Sequence, residues 1–179
     1  MRIPVPDNLI LGLLLLRNQH GYDLQAHFEA PSELGRVWTM SRSQVYAVLK
    51  RLEVLGMVRG KAVRGQDAPD RVEYGVTAAG RRKLESWLLE LEPSASVRSI
   101  RVEFISKLYV AERLGRPLDP IIARQEAACL GRLRDLETAR VEAASPTELR
   151  SLDFVISQLT AAIAWLDRIR LADLVGETA

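Results

Sequence analysis

Seven cationic side chains, Arg36, Arg42, Lys50, Arg51, Arg59, Lys61 and Arg64, share one short stretch of the chain with a single carboxylate, Glu53. Such crowding suits a polyanion, and a phosphate backbone is the commonest one. A basic run is also the ordinary make-up of a solvated face, so charge alone decides little. The neighbouring residue types sharpen it. Ser41, Arg42, Ser43 and Gln44 are consecutive, followed by Tyr46, Lys50 and Arg51. Arg and Gln present forked hydrogen-bonding groups that match guanine and adenine edges, while hydroxyls and ammonium groups bond phosphate oxygens. Arg42 and Gln44 are therefore the candidate base readers. Ser41, Ser43, Lys50 and Arg51 are candidate phosphate contacts, and Arg59, Lys61, Arg64 and Arg71 a second basic group downstream.

Other chemistries lack their parts. The one cysteine, Cys129, rules out an internal disulfide or a thiolate cluster, and His20 and His27 are the only histidines, so no metal site and no cofactor is expected. Paired carboxylates, a phosphate-cradling glycine loop and a nucleophile–base arrangement are not evident, and the chain is not expected to be an enzyme. Residues 1–90 hold 13 Lys/Arg and 10 Asp/Glu, a balance of +3, whereas 91–179 hold 12 and 13, a balance of −1. The positive field thus belongs to the N-terminal half. With 47% hydrophobic and 27% charged residues, the chain can bury a core. The apolar stretch Leu9–Leu16 is too short to span a bilayer, and Asp7 spoils a signal peptide, so a cytoplasmic protein without a membrane partner is expected.

The elements that must carry these groups follow from the hydrophobic spacing. Asp7 is the natural N-cap of a first helix over about 8–17, apolar nearly all round. His20-Gly21 breaks the chain, and Tyr22, Leu24, Ala26 and Phe28 begin a second helix ending near Pro31. Ser41 caps a third, with Val45, Val48, Leu49, Leu52 and Leu55 on one side and Gly56 as its stop. Residues 57–64 and 71–76 alternate like two strands, joined by the polar turn Gly65–Asp70. Thr77 caps a helix over about 78–91. Three helices, a hairpin and a helix, with the cations on the third helix and hairpin, is the order of a winged helix-turn-helix. Glu92–Ser96 reads as a linker between a DNA-binding domain (1–91) and an all-helical domain (96–179). The fold class is thus mainly α (α+β), with a two-stranded wing. In the last helix, Leu149, Leu152, Ile156, Leu159, Ile163 and Leu166 alternate steps of three and four, a heptad seam. It is expected to join two copies, the alternative being packing within one subunit.

Several of these residues together resemble the PadR family of transcriptional regulators. Leu11-Gly12-Leu13-Leu14, His20-Gly21-Tyr22-Asp23-Leu24, the run from Ser41 to Gly56, then Tyr74, Thr77 and Gly80 are similar to the family pattern in order and spacing. Glu103–Tyr109 resembles the start of the dimerisation region of its longer members. The resemblance implies a homodimeric repressor of double-stranded DNA, with Tyr46 touching the DNA backbone. It also implies release by a small aromatic or hydrophobic effector, for which Trp38, Trp87 and Trp165 are the candidate pocket. The likeness is looser at the wing tip, where Asp67 and Asp70 stand among the cations, and weak beyond Arg116. A winged-helix adaptor that binds protein rather than DNA remains the alternative.

Overall fold

The computed structural model describes residues 5–29, 32–37, 39–63 and 71–176. Trp38, Arg64 and the expected wing turn Gly65–Asp70 lie outside them. The chain divides into two compact units, Met1–Leu89 with Ile105–Arg116, and Glu90–Phe104 with Pro117–Ala179.

In the first unit, α1 (Val5–Leu16), β1 (Gln19–His20), α2 (Gly21–Ala26), a 3-10 turn at Leu34–Arg36, α3 (Arg42–Val54), β2 (Val58–Val63), β3 (Arg71–Val76) and α4 (Ala78–Leu88) follow in order, joined by α6 (Ile105–Arg113). Helix α1 is the hub. Leu9, Ile10, Leu11, Leu13 and Leu14 are buried against α3, α4, α6 and β3. Each such side chain contributes about 1.5–3 kcal/mol by leaving water. The helix begins at Val5, ahead of Asp7. Asp7 is therefore not its N-cap but a fully buried carboxylate in its first turn. Helix α6, expected on the far side of the linker, belongs to this unit because its Val110 packs on Gly12. A Cβ at Gly12 would come within 2.6 Å of Val110 Cγ1.

The expected hairpin is present and has a third member. β3 lies between β2 and β1, with Gln19 opposite Tyr74 and His20 opposite Glu73. Two residues of strand left no periodic signal in the sequence. The residues around the hairpin have specific tasks. Gly56 takes φ +65°, which lets α3 end with Met57 N–H donating to Leu52 O at 2.8 Å. Thr77 Oγ1 accepts from Gly80 N–H at 3.2 Å and donates to Gly56 O at 2.7 Å, fastening α4 to the end of α3.

The second unit contains α5 (Val97–Ser99), a π-helical turn at Ile100–Phe104, α7 (Asp119–Glu142) and α8 (Pro146–Gly176). Helices α7 and α8 run antiparallel. Arg140 near the end of α7 pairs with Asp153 early in α8, and Arg170 late in α8 reaches Asp119 at 2.7 Å and Glu126 at 3.1 Å. Between them lie Ile122, Gln125, Cys129 and Leu136 of α7 with Leu159 and Leu166 of α8, all buried. Two residues of the heptad seam, Leu159 and Leu166, are thus covered within a single subunit. Leu149, Leu152, Ile156 and Ile163 are half-buried along it, while Phe154, Val155 and Leu171 remain exposed elsewhere on α8. By length and composition alone α8 is also apolar enough to cross a membrane over Pro146–Ala172, although little of it is buried.

Candidate nucleic-acid interface

Helix α3 presents its first turn to solvent because its start is closed by its own side chains. Ser41 Oγ accepts from Gln44 N–H at 3.3 Å, and Ser41 N–H donates to Gln44 Oε1 at 2.7 Å. This reciprocal capping box satisfies donors that a helix start would otherwise leave open. Ser43 Oγ lies 3.0 Å from Ser41 Oγ. Ser41, Arg42, Ser43, Gln44, Tyr46 and Lys50 are all exposed, while Val45, Val48, Leu49 and Leu52 anchor the opposite side in the core. The cap constrains two of the expected contacts. Ser41 is committed to the backbone, and Gln44 has its carbonyl oxygen turned back on Ser41, leaving the amide nitrogen as its outward group.

Arg42 extends over the Tyr46 ring, 5.8 Å from its centroid. Tyr46 in turn lies flat on the start of α2. A Cβ at Gly21 would sit 2.7 Å from Tyr46 Cζ and 2.9 Å from its hydroxyl. Glycine at 21 is what lets the phenol stand between the two helices. Behind it, Tyr74 is held above the ordinary phenol range by burial, with Glu53 and Tyr46 adding to the effect.

Arg51 departs from expectation. Its Nε donates to Asp7 Oδ2 at 2.7 Å and its Nη2 to Asp7 Oδ1, a forked pair on a carboxylate with no exposure to water. That hydrogen bonding is the main reason the Arg51 pKa rises above its usual value. Arg51 ties α3 to α1, and its guanidinium is occupied there rather than offered to phosphate.

The wing cations border two different clefts. A Cβ at Gly60 would lie 3.1 Å from Glu53 Oε1 of α3, so Gly60 faces α3, and its N–H also donates to that oxygen. Arg59 and Lys61 therefore point the other way and line a shallow cleft with Asn18 and Glu73. Arg71 instead borders a cleft of about 650 Å³ together with His20, Tyr22, Arg42, Tyr46 and Tyr74. The structure thus brings Arg42, Tyr46 and Arg71 together and sets Arg59 and Lys61 apart. It adds His20 and Tyr22, which the sequence placed only at the chain break and the start of the second helix. The available signal was a tyrosine directly after a His-Gly break. Tyr22 is 67% exposed.

Two candidate effector residues have packing neighbours of their own. Trp87 is buried in the first unit with the Lys107 ammonium 5.5 Å from its ring centroid. Trp165, in the second unit, meets Phe104 edge to face at 6.0 Å. Cys129 is buried and its thiol pKa is pushed up by that burial.

Residues 10–86 match the transcriptional regulator PadR-like family. The negative transcriptional regulator PadR of Bacillus subtilis (strain 168) is 31% identical over 107 residues, covering 60% of this chain and 57% of that protein. A probable transcriptional regulator of Mycobacterium tuberculosis is 29% identical over 106 residues, 59% of this chain and 55% of that protein. The matches thus span little more than half the length of these curated relatives. The crystal structure of Bacillus subtilis PadR in complex with operator DNA aligns at 23% identity over 95% of this chain and 99% of that one, with a TM-score of 0.48.

Proposed function

We infer, with residues 10–86 belonging to the transcriptional regulator PadR-like family, that the chain is a cytoplasmic DNA-binding repressor acting as a homodimer. The observation that carries this reading is the solvent-facing first turn of α3, where Arg42 stands beside Tyr46 and across a cleft from Arg71. A helix so presented fits a major groove, with Arg42 and the Gln44 amide toward base edges. Lys50, Tyr46 and Arg71 serve phosphates. The reading contains no chemical step.

Two copies double the surface. The apolar residues that one subunit leaves in water, Phe154, Val155 and Leu171, are what a second copy covers. Leu159 and Leu166 hold α8 to α7 within each subunit and are not themselves the joint. Two recognition helices on one face of the duplex call for half-sites about one helical turn apart, roughly 10 bp.

The test is a salt titration of binding to a promoter fragment. Each neutralised phosphate contributes about 0.9 to the log–log slope, so Lys50 and Arg71 on both subunits give a slope of about −4. A flat response would remove the phosphate contacts. Arg42→Ala should lower affinity for the operator about 10- to 100-fold for each half-site while the fold and dimer persist, since one bidentate base contact is worth about 1–3 kcal/mol.

A further inference from the structure

The cleft bounded by the start of α2, the first turn of α3 and β3 gathers donors from three elements. His20 Nδ1 lies 3.0 Å from the carbonyl oxygen of Val72. A carbonyl can only accept, so Nδ1 carries the hydrogen. Nε2 is then a bare acceptor in the neutral ring and an N–H donor in the charged one. Arg71 closes the cleft from the strand side, Arg42 and the Tyr46 phenol from α3, and the Tyr22 phenol from α2.

The charges that oppose an anion here are few and partly engaged. Asp23 Oδ2 accepts from the His20 backbone N–H at 3.3 Å, and Glu73 stands opposite His20 in the β1–β3 ladder. Tyr74, at the back, is a neutral phenol whose ionisation burial disfavours. An occupant offering only acceptor oxygens and one negative charge satisfies Arg71 and both exposed phenols. It would repel the Nε2 lone pair of a neutral His20 and attract the charged ring.

Resting on the DNA-binding reading, we propose that this cleft seats one backbone phosphodiester of the bound duplex, beside the base-reading turn, and that His20 takes up a proton from solvent on Nε2 as the phosphodiester enters. Tyr22 and His20 thereby become DNA contacts outside the recognition helix. The sign follows directly. DNA favours the protonated ring, so affinity rises as pH falls through the imidazole range and is lost as pH rises.

The measurement is fluorescence anisotropy of a labelled promoter duplex with the full chain, at fixed ionic strength from pH 8 to 5.5. Wild-type binding should tighten over that range, by about tenfold for each subunit's seat. His20→Asn keeps a donor where Nδ1–H meets Val72 O but cannot titrate. Whatever its affinity at pH 8, it should show no acid gain. His27→Gln, the other histidine variant, should follow wild type. At pH 7, Arg71→Ala should flatten the log–log salt slope by about 0.9 per subunit. Tyr22→Phe should weaken binding several-fold with the slope unchanged, because a phenol releases no counterion. An acid gain that persists in His20→Asn, or an unchanged slope in Arg71→Ala, overturns the seat while leaving a DNA-binding protein. Wild type failing to bind any duplex overturns the regulator reading and the seat with it. Inorganic phosphate at matched ionic strength should displace the duplex no better than chloride. Stronger displacement would assign the cleft to a free anion instead.

Discussion

Replacing Arg51 with methionine separates a cation that holds the fold from one that holds DNA. Asp7 has no exposure, and both its oxygens receive hydrogen bonds from Arg51. Removing one member of a buried pair costs about 3–5 kcal/mol, because the remaining charge stays out of water without compensation. The Arg51 side chain is itself 43% exposed, so solvent already screens its half of the pair. The lower end, about 3 kcal/mol, is therefore the expected loss. With a urea dependence of about 2 kcal/mol per molar, the unfolding midpoint should fall by about 1.5 M, read by tryptophan fluorescence at pH 7. Under conditions where the variant is folded, its salt slope on promoter DNA should equal that of wild type. Pairing Arg51→Met with Asp7→Leu should recover most of the stability, since no buried charge is then left alone. A midpoint within about 0.3 M of wild type, accompanied by a shallower salt slope, would refute the assignment and return Arg51 to the phosphate contacts.

Phe154→Glu should give folded monomers by sedimentation, whereas Leu159→Asp should unfold or aggregate the chain, because Leu159 lies between α7 and α8. Dimers that survive Phe154→Glu would move the joint off that face. Gly80→Ala should destabilise by several kcal/mol, measured by thermal melting, since its Cβ would fall 2.1 Å from the Met57 carbonyl oxygen, a backbone atom without freedom to retreat. His27 sits below its ordinary pKa of 6.5, chiefly through burial and then through Arg17 and Arg113. The unfolded chain therefore binds a proton that the folded one resists. Stability should decline as pH falls from 6.5 toward that lower value, and His27→Gln should blunt the decline in acid melts.

What could be read from the sequence was what repeats locally. Ser41, ahead of an apolar run, marked the start of α3 to the residue. The two hairpin strands were legible from alternation. Asp7 misled because an acid before leucines looks like a cap, whereas its role depends on Arg51, 44 residues away. The same distance hid the fact that Arg51 is committed. The heptad of α8 was legible as a period, but periodicity cannot tell which neighbour each residue faces: Leu159 and Leu166 are buried within the subunit, whereas Leu149, Leu152, Ile156 and Ile163 are only half-buried. His20 and Tyr22 escaped notice because their surroundings come from Val72, Arg71 and Arg42, which only the fold assembles. The π-helical turn at Ile100–Phe104 has no sequence mark that we recognise.

The placement of β3 between two neighbours has a bearing on handling the protein as well as on its contacts. Strand β2 is left with an outer rim of backbone amides and carbonyls that no strand covers among the described residues. Rims of that sort invite stray strands from other molecules, and charged side chains are a common deterrent. Arg59 and Lys61, turned away from α3, are spaced two apart along it. Neutralising both would then reveal itself less in gel shifts than in turbidity, as chains begin to stack edge on edge.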